Sequence, residues 1–128
     1  MTAINVSSTE QHFQQNIAIR QFQLIADEPT ELGGTDNGPT PTELAFASLG
    51  SCKAITLQMY AERKGWTLNH VESDISVEQI ERKYHVSVRL KLTGDLTDEQ
   101  RKRLLEISNK CPVHKLLAPG AEISTYLA

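Results

Sequence analysis

The sequence predicts an α+β fold in which runs of strands and runs of helices follow one another. Short strand-like segments come first, one long helix with clear start and stop signals follows, and a hairpin precedes two further capped helices. Strands and helices grouped in this way, rather than alternating one by one, are typical of the α+β class. The 128 residues are enough to bury one core, so we expect a single domain over residues 1–128.

Three short strands are expected near the N-terminus, at residues 3–7, about 12–17 and about 20–26, where apolar and polar residues alternate loosely. The next segment, DEPTELGGTDNGP, is dense in Gly, Pro, Asp and Asn and predicts a turn-rich, flexible connection. Its glycines lack the spacing of a phosphate-binding loop, and no Gly-Lys-Ser/Thr follows.

A long helix is predicted from Pro41 to about Lys64. Thr40 can cap it, Glu43 lies three residues further on and completes a capping box, and Gly65 offers a stop. Apolar side chains cover more than half of its circumference, and small side chains fill most of the remainder, which is typical of a buried helix. A domain of this size has difficulty surrounding such a helix, so we expect a second copy of the chain to cover it.

The second half predicts a hairpin, two helices and a closing strand. HVESDISVEQI and the alternating YHVSVRLKL form the hairpin, which turns near Arg82. Thr97 and Gln100 open a capped helix over residues 98–109. Pro112 begins a short helix with Cys111 at its N-cap, and AEISTYL is expected to be the last strand.

Composition narrows the function classes. The net charge is -3, and the absence of a Lys/Arg block argues against a nucleic-acid partner. The N-terminus does not resemble a signal peptide, and the most apolar stretch, interrupted by Lys53 and Gln58, is too short to cross a membrane. The 2 cysteines are too few for a secreted disulfide framework, so we expect a cytoplasmic protein.

The two thiols are the candidate reactive groups. Cys52 lies within the apolar arc of the long helix, where inert packing is the simplest role for a free cysteine. Cys111 faces the free N–H groups of a helix start, which favour a thiolate, although an unreactive thiol fits there equally well. Cys111 and His114 alone supply too few ligands for zinc, and no cofactor is expected.

The segment ELGGTDNGPTPTELAFASLGSCKAITLQMYAERKGW, with CPVHKLL further along, resembles the OsmC/Ohr family of osmotically inducible and organic-hydroperoxide-resistance proteins. The resemblance implies an intertwined homodimer, with antiparallel sheets wrapped around two long central helices. It also implies that Cys52 attacks an organic hydroperoxide and that Cys111 resolves the resulting sulfenic acid to a disulfide. An external dithiol would then reduce that disulfide.

The resemblance also suggests two helper residues. In the peroxidases of the family a Glu directly follows the helix-opening Pro, whereas here Thr42 follows Pro41 and Glu43 comes one residue later. The peroxidases carry their Arg in an N-terminal turn, and Arg20 is the only arginine before the helix here, in an expected strand. Glu43 and Arg20 are therefore candidate helpers, with helix capping and a solvated strand charge as their alternative roles.

Three functions follow as hypotheses. The first is thiol-dependent reduction of organic hydroperoxides by Cys52 and Cys111. The second is a non-catalytic dimer that binds a small apolar ligand at the subunit interface, with both thiols structural. The third is a disulfide-exchange or redox-sensing protein in which Cys111 reacts first.

Overall fold

The computed structural model describes residues 3–128, so residues 1 and 2, where the expected domain begins, lie outside the described residues. The described chain forms two compact units, residues 3–46 and Ala47–Ala128. The strands form two antiparallel sheets, and the helices are grouped apart from them along the chain, which confirms the α+β class. The expectation of a single domain stays a prediction.

The first unit contains a three-stranded antiparallel sheet with the order β1-β2-β3. Its strands are β1 (Ile4–Ser8), β2 (Gln15–Ile19) and β3 (Phe22–Ala26). The second strand begins later than expected because Thr9 organises a turn before it. The Thr9 hydroxyl accepts a hydrogen bond from the Gln11 backbone N–H (3.1 Å) and donates to the Gln14 carbonyl oxygen (3.2 Å).

Arg20 lies in the turn between β2 and β3, so its expected place in a strand is wrong. Because Ile19 pairs with Phe22, only two residues remain to reverse the chain, and Arg20 adopts a positive φ of 53°. Its guanidinium carbon lies 5.1 Å from the centroid of the Phe22 ring, a local cation–π contact.

The loop after β3 folds around the buried carboxylate of Asp27. This carboxylate accepts hydrogen bonds from the Thr35 hydroxyl (2.7 Å) and from the backbone N–H groups of Glu28 (2.7 Å) and Asn37 (3.1 Å). The hydrogen bond from Thr35 is the main reason that the pKa of Asp27 is lowered. The segment expected to be a flexible connection therefore has a hydrogen-bonded centre and includes a short 3-10 helix, Thr30–Leu32.

Helix α1 (Pro41–Lys64) has the bounds that its end signals predict. The Thr40 N–H donates to Glu43 Oε1 (2.8 Å) and the Glu43 N–H donates to Thr40 Oγ1 (3.1 Å), which confirms the capping box. At the other end Gly65 adopts a φ of 69°, and the Trp66 N–H donates to the Ala61 carbonyl oxygen (2.9 Å). These are the features of a glycine-terminated helix.

The second unit contains most of α1, a hairpin and two shorter helices. Strands β4 (His70–Ile80) and β5 (Lys83–Thr93) pair antiparallel and turn at Glu81 and Arg82, whose φ values are 52° and 69°. This is the expected hairpin, closed by a turn in which both central residues have positive φ. Helix α2 (Asp98–Ser108) has the predicted capping box, and α3 (Pro112–Leu117) begins after Cys111 as predicted.

The core of this unit forms around the fully buried Leu57 and Leu104, with Ile107 beside them. Helix α1 buries only one side within the chain, through Leu49, Gly50, Lys53, Leu57 and Ala61. Ile55 is 51% exposed and Met59 is 62% exposed. The all-round burial expected from the helix composition is therefore incomplete in one chain, and cover by a second copy stays a prediction.

The closing strand expected at AEISTYL is wrong for the described chain, since residues 121–128 contain no strand. The apolar side chains of Ile123, Tyr126 and Leu127 are almost fully exposed. A strand requires a hydrogen-bonded neighbour, and within residues 3–128 none pairs with this segment. Nowhere in residues 3–128 is a helix long and apolar enough to span a membrane.

Candidate active site

Two thiols that are far apart in sequence meet in the second unit. Cys52 lies on α1 and is partly buried, whereas Cys111 lies at the start of α3 and is fully buried. Both are free, and the two side chains are close enough that Cys52 raises the pKa of Cys111. The structure thus brings together the two residues that the sequence proposed as a reactive pair.

Burial is the main cause that raises the pKa of Cys111. The His114 backbone N–H donates to Cys111 Sγ (3.2 Å) and opposes this rise, as the N-cap position predicts. The neighbouring Cys52 side chain raises the Cys111 pKa further, whereas the charge of Lys53 lowers it. The expected effect of the helix start is therefore present, but burial outweighs it and the pKa of Cys111 is raised overall.

Lys53 is a third member of the site, and sequence reasoning missed it. In the sequence it is a polar interruption of the apolar stretch, yet in the structure it is only 3% exposed. One signal could have found it, since Leu49, Lys53, Leu57 and Ala61 recur every four residues and share the buried side of α1. A lysine in that row has to find polar partners inside the protein.

The Lys53 ammonium finds those partners on segments distant in sequence. Nζ donates to the Ser108 carbonyl oxygen (2.8 Å), lies 3.0 Å from His114 Nδ1, and lies 3.5 Å from Asn109 Oδ1. An ammonium has three donors and no acceptor, so these three groups account for all of its hydrogen bonds. His114 Nδ1 must then be an acceptor, which places the ring proton of a neutral His114 on Nε2.

Charges and burial act together on these groups. Burial lowers the pKa of Lys53, whereas Cys111 and Cys52 act in the opposite direction, because a thiolate favours a nearby cation. Burial also lowers the pKa of His114, and the positive charge of Lys53 adds to that effect. The site therefore combines two neighbouring thiols, one buried lysine ammonium and one neutral imidazole.

Glu43 and Arg20, the two candidate helpers, make local contacts in the first unit. Glu43 forms the capping box with Thr40, which confirms its alternative structural role. Arg20 contacts the ring of Phe22 from the turn between β2 and β3. Assistance to the thiols by either residue stays a prediction.

Metal chemistry needs a group of ligands, and none of suitable geometry is found in residues 3–128. No three His, Cys, Asp or Glu side chains there are arranged to hold an ion. What the described residues offer is thiol chemistry, in which a thiolate acts as nucleophile or the pair is oxidised to a disulfide.

Comparison with known structures shows the same architecture in several bacterial proteins. An OsmC-like protein from Mycoplasma pneumoniae is 18% identical, with a TM-score of 0.79 over 91% of this chain and 86% of that chain. An organic hydroperoxide resistance protein OsmC from Legionella pneumophila is 18% identical, with a TM-score of 0.67 over 92% and 89% of the chains. The organic hydroperoxide resistance protein OhrB of Bacillus subtilis is 18% identical, with a TM-score of 0.62 over 92% and 90%.

At these identities the structural likeness establishes the fold. No curated protein matched the sequence. A family model described as OsmC-like protein matches residues 34–125, which include α1, the hairpin and both thiols. The resemblance seen in the glycine-rich loop, the long helix and the Cys-Pro-Val-His segment is thereby confirmed, and the chain belongs to the OsmC-like protein family.

Proposed function

We propose that this protein reduces organic hydroperoxides with its two thiols, Cys52 attacking the peroxide and Cys111 resolving the oxidised product. The observation that carries the proposal is the placement of a buried Cys111 beside a partly exposed Cys52, close enough for Cys52 to raise the Cys111 pKa. A substrate from solvent can approach the first sulfur, while the second already lies beside it. A two-thiol reductase requires this arrangement, because one thiol must be accessible to the peroxide and the other must be near enough to form the disulfide.

The proposed reaction balances as two thiol steps. The Cys52 thiolate attacks the terminal oxygen of the hydroperoxide, the O–O bond breaks, and the alkoxide leaves and takes up a proton to become an alcohol. Cys52 is then a sulfenic acid. Cys111 attacks that sulfur, an S–S bond forms, and hydroxide leaves and is protonated to water. An external dithiol returns two electrons and two protons to regenerate both thiols.

Apolar surface near Cys52 supports an organic substrate. Ile55 is three residues after Cys52 on α1, and Met59 follows it by four, so the three lie along one side of the helix. Both apolar side chains are more than half exposed in the chain. Burying an alkyl group against them would contribute about 0.8 kcal/mol for each methylene, which hydrogen peroxide cannot gain. Two of the structural relatives are named for organic hydroperoxide resistance.

The same exposed surface supports a homodimer in which a second copy covers α1. We place this dimer in the cytoplasm, where free thiols such as Cys52 and Cys111 persist. Sedimentation equilibrium tests the assembly, and a monomer at micromolar concentration would contradict it.

Intact-mass spectrometry tests the chemistry directly. The reduced protein receives one equivalent of cumene hydroperoxide, beside Cys52→Ser, Cys111→Ser and the double variant as the unreactive control. We expect the wild type to lose about two mass units and Cys111→Ser to gain one oxygen on Cys52, trapped by dimedone. An unchanged wild-type mass would contradict the proposal and favour the apolar-ligand module, whose ligand binding Cys52→Ser should preserve.

A further inference from the structure

Among the described residues 3–128, Lys53 carries a buried charge without a carboxylate partner. Within residues 3–128 the ion pairs are Arg89 with Asp74 and Arg103 with Glu106, both away from this site. The three partners of Lys53 Nζ are a carbonyl, an amide and an imidazole, all of them neutral. Removing an ammonium from water is expensive unless a negative charge lies nearby. A neutral apolar residue would also suit the row formed by Leu49, Leu57 and Ala61.

The ionisable groups that face Lys53 come from each element packed around it. Cys52 belongs to the same helix, Cys111 precedes α3, and His114 belongs to α3. Helix α2 contributes only the Ser108 carbonyl oxygen, and Asn109 beyond it is also neutral. Of these groups only the two cysteines can become negative, so a thiolate is the counter-ion that this site can supply.

Three helices hold the ammonium in place. Its carbonyl partner, on Ser108, is at the end of α2, where the helix dipole favours a cation. Its imidazole partner, His114, also donates its backbone N–H to Cys111 Sγ. A single residue thus fixes both the cation and the buried sulfur, and the charge cannot swing away from the thiols as a surface lysine would.

We propose that Lys53 is a positioning residue of the thiol pair, a fixed cation whose charge is balanced when one thiol ionises and which thereby favours the thiolate at neutral pH. The inference deepens the proposed function, because the thiolate it stabilises is the nucleophile of that reaction. It concerns ionisation alone, however, and holds for any electrophile that the thiolate attacks.

The first test replaces the charge and measures ionisation. Lys53→Met keeps an unbranched side chain, one atom shorter, and removes the charge, whereas Lys53→Arg retains the charge as the matched control. The readouts are the ultraviolet absorbance of the thiolate and the rate of iodoacetamide alkylation, each followed against pH. We expect Lys53→Met to raise the pH midpoint of thiolate formation by about one unit and to slow alkylation at neutral pH about tenfold. Lys53→Arg should remain closer to the wild type.

An unchanged midpoint in folded Lys53→Met, checked by circular dichroism and urea unfolding, would overturn the inference. A second measurement avoids any change to Lys53, in case that variant does not fold. Coupling between two sites is reciprocal, so a thiolate that lysine stabilises must also stabilise the ammonium. Carbon-13 NMR of the lysine ε-carbons should show Lys53 titrating at higher pH in the reduced wild type than in Cys52→Ser/Cys111→Ser. Equal titration in the two proteins would overturn the inference.

The two proposals fail separately. If cumene hydroperoxide leaves the mass unchanged while Lys53→Met shifts the ionisation midpoint, peroxide reduction is refuted and the role of Lys53 stands. If the peroxide cycle runs but neither measurement shows a link between Lys53 and the thiols, the role of Lys53 is refuted and peroxide reduction stands.

Discussion

The capping box at the start of α1 gives a direct test of what Glu43 does. Its carboxylate accepts a hydrogen bond from the Thr40 N–H at 2.8 Å, in the first turn of the helix. Glu43→Gln keeps an acceptor oxygen and removes only the charge, whereas Glu43→Ala removes both. Helix α2 provides the matched control, because Gln100 occupies the same position relative to Thr97 and accepts at 2.9 Å.

The expected costs follow from these contacts. A net hydrogen bond contributes about 1 kcal/mol to the free energy of unfolding. A negative charge in the first turn of an exposed helix contributes about 0.5 kcal/mol. Glu43→Gln should therefore cost about 0.5 kcal/mol and Glu43→Ala about 1.5 kcal/mol. Gln100→Ala should cost about 1 kcal/mol, and Gln100→Glu should gain about 0.5 kcal/mol, the reverse of Glu43→Gln.

Urea unfolding measures these differences, and the rate of thiol oxidation by cumene hydroperoxide is measured on the same samples. A carboxylate that takes part in proton transfer contributes about 10² to 10⁴-fold to a rate. A loss of that size in Glu43→Gln, with the small stability change given above, would refute the assignment of Glu43 to the cap alone. A Glu43→Ala variant as stable as the wild type would refute the cap energetics.

Two further predictions concern the thiol site. Iodoacetamide should modify Cys52 before Cys111 in the reduced native protein, because Cys111 is fully buried and its pKa is raised. Peptide mapping after brief labelling gives the order of modification. Faster labelling of Cys111 would favour the disulfide-exchange hypothesis. The pKa of His114 is lowered from 6.5 on folding, so as the pH falls the imidazole takes up a proton in the unfolded chain before it does so in the folded chain. The contribution of His114 to stability is therefore complete above pH 6.5 and is lost as the pH falls below that value. His114→Gln should lose less unfolding free energy than the wild type across that range in urea titrations, and equal losses would contradict the assignment.

The sequence predicted those parts of the fold that depend on neighbouring residues. The start of α1 at Thr40, its stop at Gly65 and the cap of α2 at Thr97 each involve atoms within a few residues of one another. Such signals act in any folded context, because an unpaired N–H or carbonyl at a helix end needs a partner close by. Both ends of α1 and the start of α2 agree with the predicted ones, and α2 ends one residue earlier than predicted.

Features that depend on distant residues were predicted less well. Arg20 was placed in a strand because the turn position depends on which residues pair across β2 and β3. The buried state of Lys53 depends on Ser108 and His114, which no local pattern connects to it. The ionisation of Cys111 stayed open for the same reason, since its N–H partner is local and the burial that outweighs it comes from the whole unit.

The sulfur of Cys111 also stabilises the local backbone. It accepts the hydrogen bond that begins α3, a helix of only 6 residues. A helix of this length has few internal hydrogen bonds with which to compensate for the loss of that one. Any reagent that consumes the Cys111 sulfur therefore perturbs the local backbone as well as the thiol, and labels placed there report the opening of α3 together with chemical reactivity.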